Sequence, residues 1–108
     1  MDVREYITLD GENPFAEWLF GLDKSLQIRV MARLTRLENG NFGDHKHLQD
    51  GVYELRATFG GGVRIYFGKE GNQVITLLGG GNKQRQQKDI RKAILLWHEY
   101  LTHQDQDG

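Results

Sequence analysis

The chain contains no cysteine, so neither a disulfide framework nor a thiolate zinc site holds its fold together. That absence fits a reducing compartment, and a cytoplasmic location is the expectation. No apolar run approaches the ~20 residues that cross a bilayer, so no membrane role is expected. The N-terminal "MDVREYITLD" lacks a basic start followed by an apolar stretch and does not read as a signal peptide. A charge excess is missing too. With 14 basic and 15 acidic residues the net charge is −1, which gives no global basis for binding nucleic acid. What is present is ordinary for a soluble domain: 108 residues, 38% apolar and 27% charged. One domain with a single modest core is expected over residues 1–103, followed by a polar, frayed tail at 104–108.

The charge that is present is segregated. Lys24, Arg29, Arg33 and Arg36 follow one another with no acid between them, and Lys83, Arg85, Lys88, Arg91 and Lys92 face Asp89 alone. Clustered cations make an anion-attracting face even on a neutral protein. Solvated helix faces give the same pattern.

Periodicity sets the element order. "VREYITL" alternates as a strand from about Val3 to Leu9, and "DGEN" is a turn. Asn13 then Pro14 reads as an N-cap and first helical position, with Phe15, Trp18, Leu19 and Leu22 at helical spacing. Asp23 or Ser25 caps a second helix, whose apolar stripe is Leu26, Val30, Leu34 and Leu37. The short connection between the two predicts an antiparallel helical hairpin. "GVYELRATF", "GVRIYFG" and "QVITLLGG" then read as a three-stranded antiparallel meander. Its third strand, with Val74, Ile75, Leu77 and Leu78, is expected to be central and covered on both faces. A final helix is predicted from near Gln86 to about Leu101 on the stripe Ile90, Ala93, Ile94, Trp97 and Leu101. The order is β-α-α-β-β-β-α.

Several groups carry chemistry. "LLGGGNKQRQ" at 77–86 lacks the spacing and the Ser or Thr of a Walker loop, which excludes nucleotide hydrolysis. Its three glycines are expected to turn the chain and deliver Lys83, beside Arg85, to a helix start able to hold a phosphate. Arg56 shares a strand face with Glu54 and Thr58, and Arg64 shares one with Tyr66. Two arginines on a polar face suit a phosphodiester. "DHKH" at 44–47 is expected to be a loop, in which His45, His47 or Asp44 offers a general base and Lys46 a cation. No further cluster completes a metal site around it, and no cofactor is expected.

Order and motifs together resemble the RelE/ParE superfamily of toxins from type II toxin–antitoxin modules, closest to the addiction-module killer proteins of phage-derived loci. The similarity covers nearly the whole chain and is most specific in "DGVYELRATFGGGVRIYFG" and "LLGGGNKQRQQKDIRKAILLWHEY". It implies an α+β, RelE-like fold, with a helical hairpin and a C-terminal helix packed on a small antiparallel sheet. It implies a cognate antitoxin, often a small helix-turn-helix DNA-binding protein, and, for the RelE-like branch, metal-independent cleavage of mRNA, usually on the ribosome, by 2′-OH attack on the adjacent phosphate. The resemblance assigns Arg56, Arg64 and Lys83, with Arg85 beside it, to the scissile phosphate; Arg85, Tyr66, His47 and Lys46 are the weaker candidates for substrate contact. "QRQQKDI" lacks the Tyr or His common after that basic turn, which leaves Asp89, His45 and His47 as acid–base candidates. The same fold also serves ParE-like proteins, which inhibit DNA gyrase by contact and hydrolyse nothing.

Overall fold

A computed structural model describes the backbone of residues 1–107 and the side chains of residues 1–104. The strands are β1 (Asp2–Glu5), β2 (His45–Gln49), β3 (Val52–Arg56), β4 (Val63–Glu70) and β5 (Val74–Asn82), and the helices are α1 (Pro14–Phe20), α2 (Lys24–Glu38) and α3 (Gln86–Asp107). Single 3-10 turns occupy Phe59–Gly61 and Lys83–Arg85.

The helix starts follow the local chemistry. Asn13 Oδ1 accepts from the Ala16 amide at 3.0 Å, and Asp23 Oδ1 from the Leu26 amide at 2.9 Å, so each cap satisfies an amide left free in a first turn. The last helix runs past Leu101 to Asp107, because no glycine or proline stops it before Gly108. The tail expected over 104–108 is therefore helical as far as Asp107, and Gly108 lies outside the described residues.

The sheet has five strands in the order β1-β5-β4-β3-β2, an α+β arrangement with all four later strands antiparallel. Several expectations need correction. "DHKH" is not a loop: His45–Gln49 forms the edge strand β2, paired with β3 through His45↔Leu55, Lys46↔Glu54 and His47↔Tyr53. Its side chains are almost all exposed, so it carries no apolar alternation to read. β1 ends at Glu5 rather than Leu9 and pairs parallel with β5, which makes the sheet mixed, with β4 rather than β5 in the middle. The glycines of the third run do not turn the chain either. Gly79, Gly80 and Gly81 lie inside β5 without positive φ, and the turn follows at Lys83–Arg85.

Close approach is what those glycines permit. A Cβ at Gly80 would overlap the Trp18 ring, and one at Gly81 the Asp89 carboxylate. Hence α1 packs onto one sheet face and α3 onto the other, each over bare backbone. Phe15, Leu19, Val30, Leu34 and Leu37 of α1 and α2 bury against Leu55, Ile65, Phe67, Ile75 and Leu77. Val52, Tyr66 and Leu78 face Ala93 and Trp97 of α3 on the opposite side. Both faces of β5 are covered, so the consecutive Leu77 and Leu78 are buried on opposite sides, which explains their unbroken apolar run. A bulge shifts the β4–β5 register between Tyr66 and Phe67.

Gly68 tests this packing, since a Cβ there would enter the buried Trp97 ring. Gly68→Ala is expected to lower stability by about 1–3 kcal/mol through overpacking. A urea melt that leaves the midpoint unchanged would show that Trp97 moves aside without cost.

Candidate functional site

The β-ladder places the charged residues of the sequence motifs in two rungs on the α3 face. One rung runs Lys46, Glu54, Tyr66, Gly79, and the next runs Arg56, Arg64, Gly81. Directly opposed arginines repel, and Glu54 answers that repulsion. Its carboxylate is fully buried; Oε1 accepts from Arg56 Nε at 3.0 Å and lies 4.0 Å from Arg64 Nε. Oε2 accepts from Gln86 Nε2 at 2.8 Å, which ties the first residue of α3 to the sheet. Nothing in the sequence pattern singled out Gln86; only the helix packing brings it here.

Arg64 is held but not saturated. Its side chain is 13% exposed, and Nε is buried without a hydrogen-bond partner. Gly62 leaves the space beside it open. A Cβ at Gly62 would stand 3.7 Å from Lys83 Cβ and 3.9 Å from Arg64 Nη1, so the glycine separates the stem of Lys83 from the Arg64 guanidinium by one small gap. Lys83 and Arg85 themselves are exposed in the turn, with Asn82 Oδ1 accepting from the Gln84 and Arg85 amides.

Two further groups enclose the face. Tyr66 is 1% exposed, and its hydroxyl faces the Glu54 carboxylate without reaching hydrogen-bond geometry. Burial and the charges of Glu54 and Asp89 push its phenol well above the ordinary range, so it stays protonated and neutral. Asp89 lies over Gly81, beside Arg64 in the register. Burial raises its carboxyl pKa above 3.8, partly offset by Arg85, Lys92 and Lys88. A raised native pKa makes ionisation costlier in the folded state, so this group's contribution to stability falls as pH rises through that range. Asp89→Asn is accordingly expected to raise the melting temperature at pH 7. Repeating the melts below pH 3.8 should show the gain disappear; a gain independent of pH would refute the assignment to ionisation.

The remaining candidates fall elsewhere. Lys46 shares the Glu54 rung but is exposed at the sheet edge. His45 and His47 belong to the opposite face, where their rings sit 6.4 Å and 4.9 Å from that of Tyr53. The structure therefore does not bring either histidine to the arginines, and Asp89 is the acid–base candidate beside them.

Paired arginines and a lysine-bearing turn on one sheet face of a small α+β domain are groups whose chemistry suits an anion. The family model "Phage derived protein Gp49-like" matches residues 17–96, which include every residue of that face from Lys46 to Asp89. An uncharacterized protein of Haemophilus influenzae is 44% identical over 87 residues, covering 79% of this chain and 87% of that protein. The chain belongs to the phage-derived, Gp49-like family.

Proposed function

We propose that the protein is the toxin of a type II toxin–antitoxin module and cleaves mRNA without a metal ion. Its membership of a phage-derived family and its resemblance to RelE-like toxins support the module, and Arg64 carries the chemistry. A guanidinium fixed by its surroundings, with donors left unsatisfied, suits a charge that develops only during reaction. The ribose 2′-oxygen bonds to the adjacent phosphorus and the bond from phosphorus to the 5′-oxygen breaks, leaving a 2′,3′-cyclic phosphate and a 5′-hydroxyl. Arg56, Arg64 and Lys83 hold the charge on the phosphorane. Asp89 takes the 2′-OH proton, and a donor from the same basic turn or water returns one to the leaving oxygen.

A second reading has its own observation. Phe20 at 71%, Ile28 at 64% and Met31 at 50% exposure leave large apolar side chains uncovered on α1 and α2. Such a surface fits contact with a protein, either the cognate antitoxin or, for a gyrase inhibitor, the target itself. Pulse induction without antitoxin, with new mRNA 5′ ends mapped for the wild type and Arg64→Ala, separates the two. Cleavage within coding regions that vanishes in the variant supports the nuclease. Growth arrest with intact mRNA and a DNA-damage response sinks it.

A further inference from the structure

Arg33 departs from the solvated face that the spacing of the α2 arginines allows, while Arg29 and Arg36 stay exposed. Arg33 is 6% exposed, and a charge taken that far from water needs a partner. Among the described residues no carboxylate lies within 4.0 Å of Arg33 or Arg36. Arg33 Nη2 donates to the Arg56 carbonyl at 2.9 Å, one hydrogen bond for a group with five N–H donors. Room for the guanidinium comes from Gly43, which has φ +62° and whose missing Cβ would overlap it. The other Arg33 donors open onto a groove of about 290 Å³, lined by Arg33, Arg36, Gly43, Asp44, Arg56 and Phe59. Arg29 extends the basic line, with Cζ 5.6 Å from the centre of the Phe59 ring.

We propose that this groove is a second phosphate subsite, which holds a phosphodiester next to the scissile one in a single-stranded RNA. The proposal rests on the ribonuclease reading for its substrate. Arg56 joins the two places: its guanidinium meets Glu54 on the sheet face, and its carbonyl meets Arg33 in the groove. A chain with a negative charge at every residue is the ligand that occupies both together. Burial and the neighbouring Arg36 lower the Arg33 pKa, with Asp44 opposing, and an anion in the groove relieves that penalty.

The test is binding of a 2′-O-methyl hexanucleotide, which cannot be cleaved, to the full chain by fluorescence anisotropy. Arg36 is exposed, so Arg36→Gln folds; Arg33→Lys keeps the charge but loses the fork. Each is expected to weaken binding about tenfold, the size of one lost charge-assisted contact. The salt slope of Arg36→Gln should be shallower by about 0.7, one phosphate on a single strand. Arg4→Gln, which removes an exposed arginine paired with Asp2, should bind as wild type. Unchanged binding by both groove variants, with Arg64→Ala weakened, overturns the subsite and leaves the nuclease standing. Dependence on Arg33 and Arg36 with mRNA left intact in the induction experiment sinks the nuclease and overturns the groove as the neighbour of a scissile phosphate. Two further outcomes overturn it: inorganic phosphate binding as tightly as the hexanucleotide, or preference for a hexaglutamate peptide, which would make the groove a protein contact.

Discussion

Arg64→Ala is expected to slow RNA cleavage by about 10²–10³-fold, the usual consequence of removing one preorganised donor from a developing anion. The fold should survive, because Arg64 makes no hydrogen bond through Nε and Glu54 keeps Arg56 and Gln86 without it. Removing one of two opposed guanidiniums also relieves repulsion across the β3–β4 pair. The melting temperature should therefore move little while the rate collapses. Arg64→Lys sharpens the test: it retains the charge and loses the planar fork, so a partial rescue of rate is expected. Single-turnover cleavage of a defined RNA measures both. A wild-type rate for Arg64→Ala would remove this residue from the reaction.

Glu54→Ala is expected to have the largest effect on stability, a loss of about 3–5 kcal/mol, as for other buried ion pairs broken from one side. The fully buried carboxylate accepts from Arg56 at 3.0 Å and Gln86 at 2.8 Å and lies against Arg64. Without it two opposed guanidiniums and an amide lose their shared acceptor. Glu54→Gln should cost less, since one amide oxygen still accepts. Its NH₂, however, must face one of three donors. Urea denaturation of both variants decides the matter. A loss under about 1 kcal/mol for the alanine variant would mean that water already satisfies the arginines. Activity should fall as well, because Glu54 orients Arg56 and fastens the start of α3 to the sheet.

How much of this was legible depended on whether a residue's signal was local. Asn13 and Pro14 announce a helix within two positions, and Ile90, Ala93, Ile94 and Trp97 announce one by period, so both were readable. Arg56 and Arg64 stand out because an arginine inside an apolar strand is itself unusual. β2 was missed because its exposed polar residues, HKHLQ, read as coil until a partner strand satisfies them. The glycine run was misread for a related reason. Gly80 and Gly81 look like turn formers, yet they are required by Trp18 and Asp89, which approach from distant parts of the chain. Arg33 carried the same letters as its exposed neighbours Arg29 and Arg36, and only Gly43 and the Arg56 carbonyl decide that it is buried.

The pairing of β1 with β5 also sets a timetable for the newborn chain. Asp2 meets Val74 and Glu5 meets Leu77, so β1 must wait until β5 has been made before it has a neighbour. Closing a loop of that size costs roughly 4 kcal/mol in chain entropy before any contact repays it. The helical pair and the β2–β4 meander need no such wait, being joined by short connections. High contact order of this kind slows folding toward the millisecond-to-second range. Gln86, which clasps Glu54, follows β5 in the chain, so the arginine face is completed only after all five strands have been made.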